Sequence, residues 1–194
     1  QKKWIFSFLQ SSRQTNKLTG HVIITNNQFN DYGNPITTTK KYSNGPTETI
    51  TNAYNDENLS LWLLGRPTAT TLKYTSNTDT IIRSGIRDFS DNSNQLLSET
   101  WYSGTNNQVT RTINYTPNGS IKKELITANS KSRATKYSYY SDSIRIATVI
   151  DPLLRKTSNN YDSYGRLSTE QSYLNQTLIN TLTYSYDNLN RVHI

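Results

Sequence analysis

The sequence contains no cysteine and no methionine among its 194 residues. Without cysteine there is no disulfide framework, no thiolate metal site and no cysteine nucleophile. Apolar residues make up only 32% of the chain, and no run approaches the roughly 18 apolar residues that a membrane-spanning helix requires. The apolar run at residues 4–9 follows two lysines, but it is too short for the apolar region of a signal peptide. We therefore expect this run to form the first β-strand.

Alanine and glutamate are also scarce, and residues typical of strands and turns take their place. Ser, Thr and Asn account for 73 residues, and the chain has 14 Tyr and 3 Trp. Thr and aromatic residues are enriched in β-strands, whereas Asn and Ser favour turns. The composition therefore predicts an all-β protein and excludes a helical bundle.

A six-residue pattern recurs along the chain. It consists of an aromatic residue, then Asp or Asn, two variable positions, often Gly, and then Arg or Asn. Copies begin at Phe29, Tyr54, Phe89, Tyr115, Tyr140, Tyr161 and Tyr186, and a weaker copy runs from Asp151 to Arg155. The gaps between the aromatic anchors are 25, 35, 26, 25, 21 and 25 residues, and the longest gap contains an extra Gly65-Arg66 unit. A nearly constant period of this length is typical of repeat architectures.

Each copy has the chemistry of a tight turn. The Asp or Asn side chain bonds a backbone N–H group two residues on, and Gly adopts the positive φ that such turns require. We expect this turn-stabilising role for six carboxylates, which are Asp31, Asp56, Asp91, Asp151, Asp162 and Asp187. Gly33, Gly119 and Gly165 should lie at strand ends with positive φ, and Asn190 takes the glycine position in the last copy.

The segments between the turns alternate in polarity, as where Leu182, Tyr184 and Tyr186 are separated by Thr or Ser. Alternation with period two next to such turns predicts β-hairpins. Because a single hairpin is only marginally stable in water, we expect sequential long antiparallel hairpins that form a curved open sheet. The sequence is interpreted as one repeat segment over residues 1–194, clearest at 29–194, and as a slice of a larger shell. The aromatic anchors should form a ladder along one face of this sheet.

The repeats resemble those of a known family. The stretches Tyr161-Asp162-x-x-Gly165-Arg166 and Tyr186-Asp187-x-x-x-Arg191 are similar to the YD repeats of Rhs-family proteins. Residues 151–155 resemble that family's Asp-Pro-Leu-Gly-Arg half-repeat, with Leu154 where Gly is usual. Residues 62–68 resemble a phrase common in the large Rhs polypeptides related to insecticidal toxin complex B and C components.

The resemblance implies a structural role. In that family the repeats form a hollow shell that encloses a C-terminal toxin or effector cargo, and the polypeptides are secreted or delivered to the bacterial cell surface. The implied partners are the rest of the parent polypeptide and its cargo. No stretch matches the family's aspartyl self-cleaving region, so no autoproteolytic residue is assigned. We expect a non-enzymatic protein without catalytic, cofactor-binding or metal-binding residues.

Four arginines end copies of the motif, and two interpretations of them are open. Arg66, Arg155, Arg166 and Arg191 could form a ladder that binds an acidic ligand. The structural interpretation is favoured, in which each pairs with an Asp or carbonyl of a neighbouring repeat or stacks on a tyrosine.

A second function stays open, namely a cell-surface β-repeat module that binds carbohydrate or a protein. Interleaved Tyr and Arg suit sugar binding, and such a module should present a groove lined by exposed Tyr or Trp. A nucleic-acid partner is disfavoured, because the basic residues behind the net charge of +7 are scattered along the chain instead of clustering on one element. The two histidines, His21 and His193, have no second metal ligand at a usable spacing.

Overall fold

A computed structural model describes residues 7–54 and 58–193, and of residue 193 it describes only the backbone. These residues form sixteen β-strands and no helix. The strands are β1 (Ser11–Thr15), β2 (Val22–Phe29), β3 (Pro35–Tyr42), β4 (Thr47–Ala53), β5 (Ala69–Thr75), β6 (Thr80–Phe89), β7 (Leu96–Trp101), β8 (Val109–Tyr115), β9 (Ile121–Ala128), β10 (Lys131–Tyr139), β11 (Ile146–Ile150), β12 (Lys156–Tyr161), β13 (Leu167–Leu174), β14 (Thr177–Thr183), β15 (Ser185–Tyr186) and β16 (Val192–His193). The all-β prediction is confirmed.

The strand order in the sheet is the order along the chain. Fourteen strands follow one another from β1 to β14, and β15 and β16 form a separate two-stranded hairpin. The paired strands are antiparallel throughout, as between β2 and β3 or between β12 and β13. The prediction of sequential antiparallel hairpins in an open sheet is therefore confirmed.

The chain divides into two compact units, residues 1–110 and residues 111–194. In a sheet of sequential antiparallel strands, every second connection lies at the same end of the strands. In the first unit these connections are residues 30–34, 54–68 and 90–95; in the second they are residues 116–120, 140–145 and 162–166. In each unit we call this end of the sheet the motif end, because the repeated sequence motif falls there.

Few of the described side chains are buried. Among the described side chains, those of Ile113 and Arg66 are buried, each with 4% of its surface exposed. Most other strand residues are half-buried or exposed, since a single sheet has no second layer to cover its faces. Contacts between neighbouring strands, and not a central core, therefore hold each unit together.

The sheet is irregular at the strand ends that carry the anchors. The pairing register shifts at Phe29, Phe89, Tyr139 and Tyr161, the last residues of four strands that lead into motif-end turns. Such β-bulges interrupt the ladder locally and leave a backbone group without its usual partner. The anchors thus lie where backbone groups of the sheet lack their usual hydrogen-bond partners from the neighbouring strand.

The strand predicted at residues 4–9 is not found in the described part of that segment. Residues 1–6 lie outside the described residues, and residues 7–10 belong to no strand. Side chains hold this segment instead: the Phe8 ring stacks on Phe29 with centroids 4.9 Å apart, and Asn27 Nδ2 donates to the Leu9 carbonyl at 2.9 Å. The first strand is β1, which pairs with β2.

Candidate functional site

The turn at residues 162–166 shows how the motif works. Asp162 Oδ1 accepts hydrogen bonds from the backbone N–H groups of Tyr164 and Arg166, each at 2.9 Å. The Gly165 N–H donates to the Asp162 carbonyl at 3.0 Å, and Gly165 has a φ of 79°. The carboxylate thus satisfies two N–H groups that the turn removes from the ladder, and only a residue tolerant of positive φ fits before Arg166.

The glycine position behaves as the motif predicts. Gly33 and Gly119 have φ values of 81° and 86°, and Asn190 has a φ of 60° in the last copy. Leu154 occupies the same position in the half-repeat with a φ of 63°. Leucine rarely adopts this left-handed conformation, which places Cβ close to the following carbonyl.

In three turns that end in arginine, this arginine pairs with the aspartate of the same turn. Arg166 Nε lies 2.7 Å from Asp162 Oδ2. The equivalent distances are 2.5 Å between Arg155 and Asp151 and 2.6 Å between Arg191 and Asp187. The aspartate partner of these arginines therefore belongs to the same turn and not to a neighbouring repeat, because the turn itself brings side chains four residues apart onto one side.

Hydrogen bonds keep the turn carboxylates ionised. The Ile144 N–H group, followed by the guanidinium and N–H of Arg145, lowers the pKa of Asp142 to about 2. Bonds from the backbone and then the guanidinium of Arg191 likewise lower the pKa of Asp187. For Asp162, burial raises the pKa, but bonds from Arg166 and Tyr164 outweigh it and the net pKa is lowered.

Asp151 follows the same pattern in the half-repeat. Burial raises its pKa, but the bonds from the Arg155 guanidinium and N–H and from the Leu153 N–H outweigh burial and lower it.

For two of the six predicted turn aspartates, the prediction was one residue too far along the chain. In the first copy Asn30 Oδ1, and not Asp31, accepts from the N–H groups of Tyr32 and Asn34 at 3.1 Å and 2.9 Å. In the third copy the residue after the anchor is Ser90, whose N–H donates to the Gln95 carbonyl, so Asp91 also stands one position too late. The predicted turn residue Asp56 lies outside the described residues.

The fifth anchor is Tyr139 and not Tyr140. Its turn covers residues 140–145 and is one residue longer than the turn at residues 162–166. Asp142 is therefore the carboxylate that accepts from the N–H groups of Ile144 and Arg145, each at 3.0 Å. The register shift at Tyr139 marks it as the equivalent of Tyr161.

Anchor tyrosines link each repeat to the one before it. The hydroxyl of the anchor donates to the carbonyl of the first strand residue after the preceding motif-end turn. The four bonds are Tyr54 to Pro35 at 3.2 Å, Tyr139 to Ile121 at 2.7 Å, Tyr161 to Ile146 at 3.1 Å and Tyr186 to Leu167 at 2.8 Å. In two copies an asparagine two residues before the anchor donates to the same carbonyl, Asn52 at 2.9 Å and Asn159 at 3.3 Å.

These bonds, which we call repeat clamps, occur where the backbone ladder ends. Between β12 and β13 the ladder reaches Tyr161, whereas between β11 and β12 it ends at Thr148, so the Ile146 carbonyl has no ladder donor from β12. The Tyr161 hydroxyl and the Asn159 amide take the place of that donor. The sequence carries a signal for this, Asn-x-Tyr at residues 52–54 and 159–161, which the analysis of the motif missed.

Arginines provide a second link between repeats. The Arg166 guanidinium lies 4.3 Å from the centre of the Tyr186 ring, and its Nη1 donates to Asn190 Oδ1 at 2.6 Å. Arg145 lies between two rings, 5.6 Å from Tyr140 and 5.5 Å from Tyr161. Arg145 and Arg166 therefore each contact the anchor tyrosine of the next turn along, Tyr161 and Tyr186.

Arg66 is the buried version of this link. Its Nη1 donates to the Ser90 and Ser93 carbonyls at 2.7 Å and 2.8 Å, and its guanidinium lies 5.6 Å from the Phe89 ring. Gly65 precedes it in the β4–β5 connection, beside the Asn34 side chain. Pairing of Arg66 with carbonyls of the neighbouring repeat agrees with the structural interpretation of this residue.

The predicted ladder of aromatic rings is formed through arginines more than through ring contacts. Among the described residues, Tyr140 and Tyr161 are a ring pair in contact between successive motif-end turns, with centroids 5.6 Å apart in an edge-to-face arrangement. Arg155 does not belong to this series, since the β11–β12 turn lies at the opposite end of the strands. A ladder of all four arginines is therefore excluded.

The described side chains, those of residues 7–54 and 58–192, contain no group of three His, Cys, Asp or Glu that could hold a metal ion. The described chain also has no helix that could span a membrane.

Comparison with known proteins gives similarity in structure alone. No protein-family model and no curated protein matches the sequence. A crystal structure of TcdB2-TccC3 without its hypervariable C-terminal region matches with a TM-score of 0.55 and 12% identity, over 93% of this chain and 12% of that chain. A second TcdB2-TccC3 structure, carrying a TEV designation, matches with a TM-score of 0.45 and 12% identity over 94% of this chain.

A porin-like protein from Bacteroides uniformis also matches, with a TM-score of 0.40 and 10% identity, over 89% of this chain and 91% of that one. The chain spans only about 12% of the length of the TcdB2-TccC3 chain. TcdB2-TccC3 belongs to the toxin complexes to which the sequence resemblance pointed. This chain therefore has the fold of a segment of a toxin-complex repeat protein.

Proposed function

We propose that the chain is a non-catalytic wall segment of an Rhs-type shell that encloses a toxin or effector polypeptide. The observation that carries the proposal is the repeated link at the motif end, where a tyrosine hydroxyl of one hairpin bonds the backbone of the hairpin before it. The fold shared with a segment of TcdB2-TccC3 supports the same conclusion.

These hydrogen bonds are compatible with an extended wall of hairpins, because each bond connects a hairpin only to its neighbour. A structure stabilised by nearest-neighbour contacts can be extended by adding hairpins without a new core. Among the described strands, β1 and β14 are the outermost in the sheet, and further strands could add to their edges. The proposed partners are accordingly the rest of the parent polypeptide and the enclosed cargo.

The chemistry of the turn carboxylates supports a structural role. Asp151, Asp162 and Asp187 each accept two backbone N–H bonds and one arginine bond. Their lowered pKa values keep them ionised at neutral pH, whereas a general acid needs a raised pKa. We propose a secreted or bacterial cell-surface location, as the resemblance implies.

Protease protection of the full parent polypeptide tests this function. We expect its cargo to resist digestion in the wild type and to be cleaved when Arg66→Ala opens the wall. Lys131→Ala, an exposed residue at the start of β10, serves as the control and should leave the cargo protected. Electron microscopy of the same polypeptide should show a hollow shell; a solid or extended particle with freely digested cargo would refute the proposal.

One groove favours the alternative function of carbohydrate binding. Its volume is about 400 Å³, and His21, Tyr42, Asn44 and Tyr74 line it, with Tyr74 40% exposed. An exposed ring beside amide and imidazole groups is the chemistry that sugars require. Binding to a glycan array that Tyr74→Ala abolishes, together with unprotected cargo in the protease experiment, would favour this alternative over the shell.

A further inference from the structure

A row of directly paired residues crosses one face of the second unit. The pairing runs from Lys123 to Lys136, Ile150, Lys156 and Tyr173, on the five consecutive strands β9 to β13. Residues directly opposite each other in antiparallel strands lie on the same face. We call this surface the lysine face.

The lysines of this row are not neutralised. Lys123 and Lys136 oppose each other directly, an arrangement that destabilises a sheet. Among the described residues neither forms an ion pair. The carboxylates of these five strands, Glu124 and Glu170, lie on the opposite face, because each stands an odd number of positions from the row residue of its own strand, Lys123 and Tyr173.

An apolar groove continues the row. Its volume is about 660 Å³, and its lining combines Ile150, Leu154, Lys156 and Tyr173 with the amides of Asn175 and Gln176. The Lys156 ammonium lies 5.3 Å from the centre of the Tyr173 ring. Asp151, in the adjacent turn, is already occupied by Arg155 at 2.5 Å.

Leu154 gives an independent indication that the groove is used. It has the left-handed φ of 63° at a position where glycine would be unstrained, yet 73% of its surface is exposed. Packing within the described structure therefore does not explain why a leucine occupies this position. Strained residues whose strain gains nothing for the fold are typical of binding sites.

We propose that the lysine face binds an acidic polypeptide segment that also carries apolar side chains. Carboxylates would neutralise Lys123 and Lys156, which are three strands or about 14 Å apart, and an apolar side chain would enter the groove against Leu154. An extended chain presents alternate side chains about 7 Å apart on one side, so two acids separated by one apolar residue on that side also lie about 14 Å apart. A nucleic acid would supply the charge but no aliphatic side chain for the groove.

Fluorescence anisotropy with a labelled peptide of three Glu-Glu-Leu-Leu repeats tests the proposal. In an extended conformation each side of this peptide alternates Glu and Leu. We expect binding that weakens as salt increases, and at least tenfold weaker binding by the triple variant Lys123→Gln, Lys136→Gln, Lys156→Gln. Peptides with Gln for Glu or Ser for Leu should bind at least tenfold more weakly to the wild type.

A matched triple variant controls for net charge. Lys122→Gln, Lys131→Gln and Arg133→Gln remove the same charge from exposed positions on the opposite face of the same hairpin, and binding should change less than twofold. Three results would overturn the proposal. The first is an equal loss of affinity in the two triple variants. The second is no binding at 1 mM peptide, which limits the binding free energy to about 4 kcal/mol, and the third is tighter binding of a twelve-nucleotide oligothymidine than of the peptide.

The variant Leu154→Gly separates binding from folding. It should raise the thermal midpoint, because glycine relieves the left-handed strain, and it should weaken peptide binding at least threefold. Unchanged binding would show that Leu154 does not contact the peptide. It would contradict the proposal that the groove binds the apolar side chains of the peptide. Failure of the peptide experiments would leave the shell proposal standing, since that proposal depends on the motif end and on protection of cargo.

Discussion

Replacing Arg66 with alanine should be the most damaging single change at the motif end. The side chain is 4% exposed, and its guanidinium donates to two carbonyls of the next turn, those of Ser90 and Ser93. A hydrogen bond to a charged group contributes about 1.5–3 kcal/mol, and the contact with the Phe89 ring adds about 0.5–2 kcal/mol. Allowing for relaxation and for water reaching the carbonyls, we expect Arg66→Ala to lower the free energy of unfolding by about 3–5 kcal/mol.

Urea denaturation followed by tryptophan fluorescence and circular dichroism gives this free energy directly. Arg155→Ala is the matched control, because Arg155 closes a turn of the same motif but its side chain is 60% exposed and bonds only within its own turn. An exposed ion pair of this kind contributes little. Arg66→Lys should be intermediate, since an ammonium keeps the charge but loses the planar fork that reaches both carbonyls. If Arg66→Ala destabilises no more than Arg155→Ala, the link between repeats through Arg66 is refuted.

Two further predictions concern the turns. Gly33→Ala should lower the melting temperature more than Gly104→Ala, although both glycines have positive φ. A Cβ atom at position 33 would lie 2.1 Å from the Phe8 ring, whereas a Cβ atom at position 104 would have nothing within 4 Å. Equal shifts of the melting temperature would contradict the packing of Phe8. The contribution of Asp142 to the free energy of unfolding should be constant between neutral pH and about pH 5 and should be lost as the pH drops from about 4 to about 2. The reason is that bonds from Ile144 and Arg145 lower the folded pKa of Asp142 to about 2, while the unfolded carboxyl keeps its ordinary value. The variant Asp142→Asn should flatten this fall in an acid titration of stability, and an unchanged pH profile would show that the carboxylate is not engaged.

The match to TcdB2-TccC3 at 12% identity shows that the fold tolerates large differences in sequence. Strand residues can vary widely where a single sheet leaves them half exposed, because few of them fill a core. The turn residues have less freedom, since each supplies a specific hydrogen bond or a positive φ. The spacing of the turns, more than the composition of the strands, is thus the feature that two such distant sequences can share.

The interface between hairpins resembles a series of small identical sites. The tyrosine hydroxyl, the asparagine amide where present and the arginine of the preceding turn converge on one short stretch of backbone, as at Ile146, where Tyr161 and Asn159 both donate. Because the ladder stops at this point, loss of these side chains would leave a backbone carbonyl without a donor. Repetition of this arrangement explains how a protein with very few buried side chains keeps a fixed strand order.

The sequence by itself determined the secondary structure and the turns. Alternating polarity predicted strands, and the aromatic–Asp–x–x–Gly–Arg motif predicted where they end, because hydrogen bonds within five residues and a positive φ at Gly165 are local properties of the chain. Local reasoning also has limits even here: it placed the carboxylate of the first turn at Asp31 when Asn30 accepts the bonds. A motif with variable positions does not determine which of two adjacent polar residues accepts the hydrogen bonds of the turn.

Only the tertiary structure decided what each motif residue contacts beyond its own turn. The partners of Arg66 at Ser90 and Ser93 are 24 and 27 residues away, and the choice between aspartate, carbonyl and ring depends on the stagger of neighbouring strands. Strand pairing likewise assigned Arg155 to the opposite end from Arg166 and brought Lys123, Lys136 and Lys156 into one row. These relations depend on which strands lie side by side and in what register, and no residue's local sequence contains that information.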